Sequence, residues 1–280
     1  MKEYIRLLRP KHSIKNLLVL FPLVFSGRLL ETELLFRALC AVLAFCIVAS
    51  LVYILNDIRD VERDRQHPTK CRRPIASGAV PVSHAAAEGA VLCLVLVFLF
   101  WVGRFPWKSG LCLGLYFIIN LGYSFGLKNV PILDIAILVS GFLLRVLFGS
   151  EVTGIATSGW LYLTVTSVSF YMGLSKRRGE LRTAGGGGRK VLAYYSDSFL
   201  TQNMQMCLTL TVVFYSLWSM DRGPHLMWTV PLVLCICLRY SMTVEGNSDG
   251  DPVEVIFQDK VLLLLGAVFG VLTLALLYLV

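Results

Sequence analysis

Long apolar runs dominate this sequence, and they restrict its fold more than any other feature. Of the 280 residues, 56% are hydrophobic and only 16% are charged, whereas a soluble domain is about 45–50% apolar and about 25% charged. A helix needs about 20 predominantly apolar residues to cross the hydrocarbon core of a bilayer. The composition therefore excludes an ordinary soluble enzyme, a disordered chain and a fibrous one, and it predicts an all-α polytopic membrane protein.

The runs predict about nine transmembrane helices in a single domain that covers residues 1–280. They are continuous rather than alternating, which is typical of helices and not of membrane strands. Pro22 and Gly27 interrupt the first run. The expected helices span residues 17–33, 35–56, 83–102, 108–126, 131–149, 158–175, 198–219, 226–241 and 260–280.

The distribution of basic residues predicts a cytoplasmic N-terminus. With that orientation, 20 Lys and Arg residues lie on the cytoplasmic side and 5 on the opposite side, in agreement with the positive-inside rule. The net charge of +8 would suggest nucleic acid as a partner in a soluble protein. Because the charges are confined to a few loops between apolar runs, we instead predict the membrane and anionic substrates as partners, and no nucleic acid.

Three predicted cytoplasmic loops, near residues 56–81, 176–195 and 242–259, contain acidic as well as basic side chains. A loop that only satisfies the positive-inside rule needs no carboxylates, so these are the predicted active-site loops. The second contains the glycine run 185–188. That run is either a flexible hinge or a place where backbone N–H groups approach a phosphate.

Asn56, Asp57, Asp60 and Asp64 form the pattern NDxxDxxxD at the end of the second predicted helix. Residues four apart lie on one face of a helix, so Asn56, Asp60 and Asp64 are expected to converge, with Asp57 at the border of that face. Oxygen-only ligands suit Mg²⁺ or Mn²⁺ and disfavour zinc. We predict that these four residues are catalytic and that Asn56, Asp60 and Asp64 bind the metal. The alternative is a solvated helix end whose carboxylates pair with neighbouring arginines.

Three cations follow this pattern directly. Lys70, Arg72 and Arg73 lie in the segment HPTKCRRPIASG, which begins three residues after Asp64. Lys and Arg side chains bind phosphate oxygens through charge-assisted hydrogen bonds. Adjacent carboxylates and cations predict a site for a metal-bound diphosphate, although membrane topology alone could also explain these basic residues.

The pattern NDxxDxxxD followed by HPxKxxRPIxxG resembles the UbiA superfamily of intramembrane prenyltransferases. Three further segments resemble its polyprenyl-phosphate phosphoribosyltransferase branch; they lie at residues 9–16, 176–195 and 239–252. UbiA-type quinone prenyltransferases carry a second acidic motif, DxxxD, after the sixth helix. This chain has Glu180 among Lys176, Arg177 and Arg178 there, so the resemblance favours the phosphoribosyltransferase branch.

The resemblance implies a UbiA-type bundle in the cytoplasmic membrane, with the active site facing the cytoplasm. It implies Mg²⁺-dependent transfer of 5-phosphoribosyl from phosphoribosyl diphosphate (PRPP) to a decaprenyl-like polyprenyl phosphate. In the family this ribose goes on to arabinose donors for cell-wall glycans. The alternatives are a UbiA-type enzyme that moves a prenyl group from prenyl diphosphate to an aromatic acceptor, and a transporter or lipid-binding protein. A homo-oligomer remains open.

The resemblance and the buried polar positions together predict the substrate-binding residues. Asp134 and Arg145 are eleven residues apart on one predicted helix, so they are expected on similar faces, either in the wall of a donor cavity or in a structural network. Glu180 is a candidate partner of the ribose or the metal. The predicted set is Lys15, Asn16, Lys70, Arg72, Arg73, Tyr123, Lys128, Asp134, Arg145, Lys176, Arg177, Glu180, Arg189 and Tyr194.

Overall fold

The computed structural model describes residues 2–183, 189–246 and 252–279, and every regular element among them is a helix. The prediction of an all-α fold is confirmed. Five short 3₁₀ segments occupy Pro10–Leu20, Lys70–Arg72, Leu127–Asn129, Lys190–Tyr194 and Pro224–Thr229. The α-helices are α1 (Lys2–Leu7), α2 (Phe21–Phe25), α3 (Thr32–Arg59), α4 (Val61–Arg65), α5 (Val82–Val102), α6 (Trp107–Phe125), α7 (Leu133–Thr153), α8 (Gly159–Thr183), α9 (Asp197–Arg222), α10 (Val230–Glu245), α11 (Pro252–Gln258) and α12 (Lys260–Tyr278).

Several of these helices are long and apolar enough to cross a membrane. Within the described part of the chain, five stretches meet that requirement by length and hydropathy: α3, α5, α7, Pro224–Glu245 and α12. The protein is therefore an integral membrane protein. The count of nine spans and the cytoplasmic N-terminus remain predictions.

The first predicted helix, residues 17–33, is wrong. The structure has the end of a 3₁₀ segment, the five-residue α2 and a turn in that place. Pro22 has no N–H to continue a helical ladder from the preceding turn. Gly27 has φ +82°, a left-handed conformation that ends a right-handed helix. The other eight predicted ranges each contain a long helix.

The described chain divides into two compact units. The first comprises residues 1–23, 28–124 and 144–155. Phe45 of α3 lies in its core, with ring centroids 4.7 Å from Tyr116 and 5.8 Å from Phe148 in edge-on contacts. Such contacts fix α3, the helix whose end carries the acidic pattern, against α6 and the second half of α7.

The second unit comprises residues 24–27, 125–143 and 156–280. Its core includes Ile135, Leu200 and Tyr240. Gly173 of α8 packs so closely on α7 that a Cβ there would lie 2.9 Å from Cγ2 of Ile135. Arg177 is one turn beyond Gly173 on the same face of α8, so the close packing also brings its side chain to the start of α7, beside Asp134.

Candidate active site

The chain changes direction within the acidic pattern. Helix α3 ends at Arg59 and α4 begins at Val61, and Asp60 between them has φ −94° and ψ 9°. The Asp60 N–H still donates to the Asn56 carbonyl at 2.9 Å, but the helical conformation is interrupted. The predicted helix is therefore interrupted at Asp60, although the Asp64 N–H also donates to the Asp60 carbonyl, at 2.8 Å. The convergence of the Asn56, Asp60 and Asp64 side chains remains a prediction.

Two buried carboxylates, Asp57 and Asp64, meet on one guanidinium. Nη1 of Arg73 lies 3.1 Å from Oδ1 of Asp57 and 2.7 Å from Oδ2 of Asp64. Arg9 adds a second cation to Asp57, at 2.6 Å. A buried carboxylate is stable only when it is paired. Arg73 is thus the cation that pairs with both carboxylates and holds them together.

Asp60 is more accessible than Asp57 and Asp64, and it pairs with arginines of its own segment. Its carboxylate lies 3.1 Å from Nε of Arg59 and 2.9 Å from Nη2 of Arg63. Arg72 is exposed and Lys70 is half-buried on the adjoining 3₁₀ segment, and Asn56 is half-buried at the end of α3. Asn56, Asp60, Lys70 and Arg72 therefore have accessible surface, and they lie close in sequence to the buried pair of Asp57 and Asp64.

The donor set has the chemistry that a magnesium ion needs. In the described ranges, no three or more His, Cys, Asp and Glu side chains form a group that could hold a metal ion. Mg²⁺ usually binds through one or two carboxylates, several waters and substrate phosphates. Asp57 and Asp64 present oxygen ligands that already share one cation, Arg73. The residues therefore fit a Mg²⁺ ion that also binds a phosphate.

Arg145 lies in a buried polar network of the first unit. Its Nε donates to Oδ1 of Asn16 at 2.8 Å, and its guanidinium carbon lies 4.7 Å from the Phe45 ring centroid. Asn16 in turn donates to Sγ of Cys46 at 3.1 Å. Asn16 and Arg145 are therefore partners in a buried structural network. Two further predicted substrate-binding residues of this unit, Lys15 and Tyr123, are half-buried.

A second buried network surrounds Asp134 in the second unit. Nε of Arg177 lies 2.7 Å from Oδ2 of Asp134, and the Tyr195 hydroxyl donates to Oδ1 at 2.6 Å. The same hydroxyl accepts the N–H of Ile132 at 2.6 Å. Ile132 has φ +66°, which is unfavourable for a β-branched residue. Asp134 and Arg145 each have partners in a buried polar network, as the structural alternative expected. Their place in the wall of a donor cavity remains a prediction.

Arg177 is placed in the interior, where it supports Glu180. It is completely buried, and its Nη1 pairs with the half-buried Glu180 carboxylate. Nε of the exposed Arg189 lies 3.5 Å from the same carboxylate oxygen. Helix α8 continues to Thr183, so Lys176, Arg177 and Glu180 belong to a helix and not to a loop. Of this set, Lys176, Glu180 and Arg189 have accessible surface for a ligand.

Tyr195 is a buried partner of Asp134 that the predicted set of site residues does not include. The predicted Tyr194 is 72% exposed, whereas Tyr195 is 6% exposed. A signal for this difference is present in the sequence: Ser196 caps α9 by accepting the Phe199 N–H at 3.1 Å. The residue before an N-cap often packs on the fourth residue of the helix, which is Leu200 in the same core.

In the third predicted loop, hydrogen bonds join Asp259 to two residues of α10. Arg239 contacts both carboxylate oxygens of Asp259, at 2.6 and 3.2 Å, and Thr243 donates to Asp259 at 2.7 Å. These hydrogen bonds hold the pKa of the Asp259 carboxyl well below its usual range. Much of that loop is helical, in α10 and α11, whereas its residues 247–251 and the glycines 185–188 lie outside the described residues.

Tyr195→Phe is expected to destabilise the second unit by about 1–3 kcal/mol, because it leaves Asp134 and the Ile132 N–H short of a buried partner. Tyr171→Phe, which loses only a bond to the Ser241 hydroxyl at 2.9 Å, should cost less. Thermal unfolding in detergent measures both. Equal shifts for the two variants would contradict the role given to Tyr195.

The same tyrosine predicts a dependence on alkaline pH. Burial, together with the hydrogen bond to Asp134, raises the pKa of Tyr195 to about 12. Because the folded-state pKa is raised, this contribution to stability is fully present below pH about 10, and it is lost as the pH rises towards 12. Ultraviolet titration should show one fewer late-ionising tyrosine in the Tyr195→Phe variant.

Comparison with known proteins gives consistent relatives. Residues 19–257 match the UbiA prenyltransferase family. Decaprenyl-phosphate phosphoribosyltransferase from Mycolicibacterium smegmatis is 37% identical over 283 residues, covering 93% of this chain and 88% of the relative. The enzyme of the same name from Corynebacterium glutamicum is 36% identical over 271 residues, covering 92% of this chain and 81% of the relative.

A solved structure shares the fold. The UbiA homologue from Archaeoglobus fulgidus, bound to GPP and Mg²⁺, has a TM-score of 0.73 to this chain, with 98% of this chain and 99% of that chain covered. The two sequences are 17% identical. The similarity therefore extends over the whole helical architecture.

Proposed function

The chain belongs to the UbiA prenyltransferase family, and on that premise we propose that it is a polyprenyl-phosphate phosphoribosyltransferase. It transfers 5-phosphoribosyl from PRPP to a decaprenyl-like polyprenyl phosphate and releases diphosphate. The observation that carries the proposal is a sequence identity of 36% and 37%, over more than nine-tenths of the chain, with two enzymes named for that activity. We place the reaction in the cytoplasmic membrane, on the cytoplasmic side.

We propose that Asn56, Asp60 and Asp64, with Asp57, would hold Mg²⁺ together with the donor diphosphate. The ion would supply charge neutralisation of the leaving diphosphate. Mn²⁺ is the alternative ion. The accessible Arg72 and Lys70 would bind diphosphate oxygens through charge-assisted hydrogen bonds. Arg73 keeps Asp57 and Asp64 in place for this role.

The reaction needs positioning and charge stabilisation more than proton transfer. The bond from C1 of the ribose to the diphosphate oxygen breaks, and diphosphate departs with the electron pair. A phosphate oxygen of the lipid forms the new bond to C1. Because a phosphate monoester is already anionic near neutral pH, no general base is required. Fixed cations and a fixed geometry therefore account for the catalysis.

We propose that a further group of accessible side chains has the substrate-binding roles that the family resemblance implies. Glu180 would accept hydrogen bonds from ribose hydroxyls, since a carboxylate is an acceptor only. Lys128, Lys176 and Arg189 would bind a phosphate group, and the exposed Tyr194 would contact the substrate. Arg177 would position Glu180 and would not itself touch the substrate, because it is completely buried.

The second candidate is a prenyltransferase that acts on an aromatic acceptor. It is favoured by one observation, the shared fold with a homologue bound to GPP and Mg²⁺. The deciding experiment offers purified protein two substrate pairs: radiolabelled PRPP with a polyprenyl phosphate, and prenyl diphosphate with 4-hydroxybenzoate. We expect labelled lipid from the first pair only. Product from the second pair alone would replace the proposal by the alternative.

Glu180→Gln should raise the KM for the donor by about tenfold, because a hydrogen bond to a charged group is worth about 1.5–3 kcal/mol. The matched control is Glu88→Gln, the same change at a half-buried position on α5 of the first unit. Steady-state kinetics at fixed Mg²⁺ compares the variants. Equal, small effects would make Glu180 an ordinary partner of its neighbouring arginines.

A further inference from the structure

Arg73 combines a fixed backbone with a partly accessible side chain. Its N–H donates to the Lys70 carbonyl and its carbonyl accepts the Ser77 N–H, both at 2.9 Å. Ile75, two residues further on, is buried in a core cluster of the first unit. The Arg73 side chain is 28% exposed, although both carboxylates that it contacts are buried. Its guanidinium can therefore move on its long apolar stem while the backbone stays in place.

Asp57 and Asp64 face one point, which is the nitrogen Nη1 of Arg73. This nitrogen contacts Oδ1 of Asp57 at 3.1 Å and Oδ2 of Asp64 at 2.7 Å. The proposed metal site uses the same two carboxylates, since Mg²⁺ binds carboxylate oxygens. A divalent ion and a charged guanidinium repel each other at short range, so they cannot share that point. Binding of the ion to both carboxylates therefore requires the Arg73 guanidinium to move away.

The charge of this cluster leads to the same conclusion. Two buried carboxylates and two guanidiniums, those of Arg9 and Arg73, make it formally neutral. A divalent ion would add two positive charges beside buried groups, which is unfavourable without a compensating change. Arg9 has a second contact that keeps it in place, because its guanidinium carbon lies 4.5 Å from the Tyr53 ring centroid. Arg73 is therefore the cation that leaves, and an anion close to the ion would accept it.

We propose that Arg73 and the divalent ion exchange at Asp57 and Asp64. The guanidinium keeps the two carboxylates together, the ion displaces it, and the displaced guanidinium binds the anionic donor. The inference rests on the proposed function only where it takes these carboxylates as metal ligands. It follows that the ion binds weakly by itself and more tightly together with a diphosphate anion, because the anion accepts the displaced Arg73.

The first test measures the affinity of the purified protein for Mn²⁺ without donor or acceptor, by electron paramagnetic resonance. Arg73→Gln should bind Mn²⁺ about ten- to hundredfold more tightly than the native protein, because the competing charge-assisted contact is worth that factor. Arg73→Lys keeps the charge and should stay close to the native affinity. Arg65→Gln is the matched control, since it removes a positive charge from the same region, where Arg65 pairs with the exposed Glu62.

The direction of the change separates the exchange from other roles of Arg73. If Arg73 were a permanent clamp on the two carboxylates, its loss would disorder the metal site and weaken Mn²⁺ binding. If Arg73 bound only the donor, its loss would leave the Mn²⁺ affinity unchanged when no donor is present. Either result would overturn the inference, as would an equal gain in affinity for Arg65→Gln.

The second test uses the native protein, so it does not depend on a variant that folds. Phenylglyoxal modifies accessible guanidinium groups, and mass spectrometry measures the modified fraction of each arginine. Saturating Mg²⁺ alone should increase the modification of Arg73, and Mg²⁺ with inorganic diphosphate should decrease it again. Arg65 is the internal reference and should respond to neither addition. An Arg73 modification that Mg²⁺ alone reduces or leaves unchanged would contradict the exchange.

The inference and the proposed function fail differently. Transfer is measured with PRPP and a polyprenyl phosphate, whereas both tests of Arg73 need only a divalent ion and inorganic diphosphate. If the native protein transfers phosphoribosyl but Arg73 does not respond to the ion, only the exchange is wrong. If Arg73 responds as expected and no phosphoribosyl is transferred, the exchange is supported and the proposed function is wrong.

Discussion

Asp60→Asn is expected to reduce kcat/KM for the donor by about 10²–10³-fold at saturating Mg²⁺, because one preorganised group that stabilises developing charge is worth about 2.7–4 kcal/mol. Asp60 is a better position than Asp64 for testing the metal assignment by substitution. The Asp64 carboxylate is buried against Arg73, and removing one partner of a buried pair costs about 3–5 kcal/mol in stability. Asp60 is less buried, and it pairs with Arg59 and Arg63 of its own segment.

The measurement combines a Mg²⁺ titration of activity with thermal unfolding in detergent. Glu62→Gln is the matched control, because Glu62 lies in the same short helix α4, is exposed and pairs with Arg65. We expect the control to keep nearly normal activity and both variants to unfold near the native temperature. Near-normal turnover of Asp60→Asn at saturating Mg²⁺ would refute the assignment of Asp60 to the metal.

Removal of the 5-phosphate from the donor is expected to weaken its use by about two to four powers of ten. Each charge-assisted hydrogen bond to a phosphate is worth about 1.5–3 kcal/mol, and we expect two to be lost. The cations proposed to read this phosphate are Lys176 and Arg189, which have accessible surface. Ribose 1-diphosphate and PRPP, compared at equal Mg²⁺ with one lipid acceptor, provide the measurement.

The structure selects the variants for this test. Arg189→Ala and Lys176→Ala should reduce the preference for PRPP over ribose 1-diphosphate. Arg182→Ala is the matched control, because Arg182 is also exposed near the end of α8 but pairs with Asp197. If the native enzyme uses the two donors equally well, this region does not read the 5-phosphate. The aromatic prenyltransferase alternative would then gain support.

The helical segments were largely predictable because their causes are local. Bilayer thickness fixes the length of an apolar run, and eight of the nine predicted ranges contain a helix. The family resemblance is confirmed by the match over residues 19–257. The resemblance was visible in the sequence because it rests on short patterns that are continuous in the chain. The failure at residues 17–33 also has a local cause, the Pro22 and Gly27 that interrupt that run.

Asp57 and Arg73 show what spacing could not predict. Helical periodicity placed Asp57 at the border of the acidic face, yet it is a buried carboxylate that contacts both Arg9 and Arg73. These partners are 48 and 16 residues away. A buried carboxylate requires a cation as its partner, and the sequence spacing does not show which distant arginine supplies it.

The sequence by itself determined the class of the protein: an all-helical membrane chain with an acidic pattern and cations beside it. Apolar run length, charge asymmetry and motif spacing are local properties, so they can be read without knowledge of packing. Only the tertiary structure decided that Arg177 is interior, that Tyr195 and not Tyr194 reaches Asp134, and that Asp60 leaves the helix. These outcomes depend on which distant groups pack together, because desolvation makes each buried charge require a specific partner.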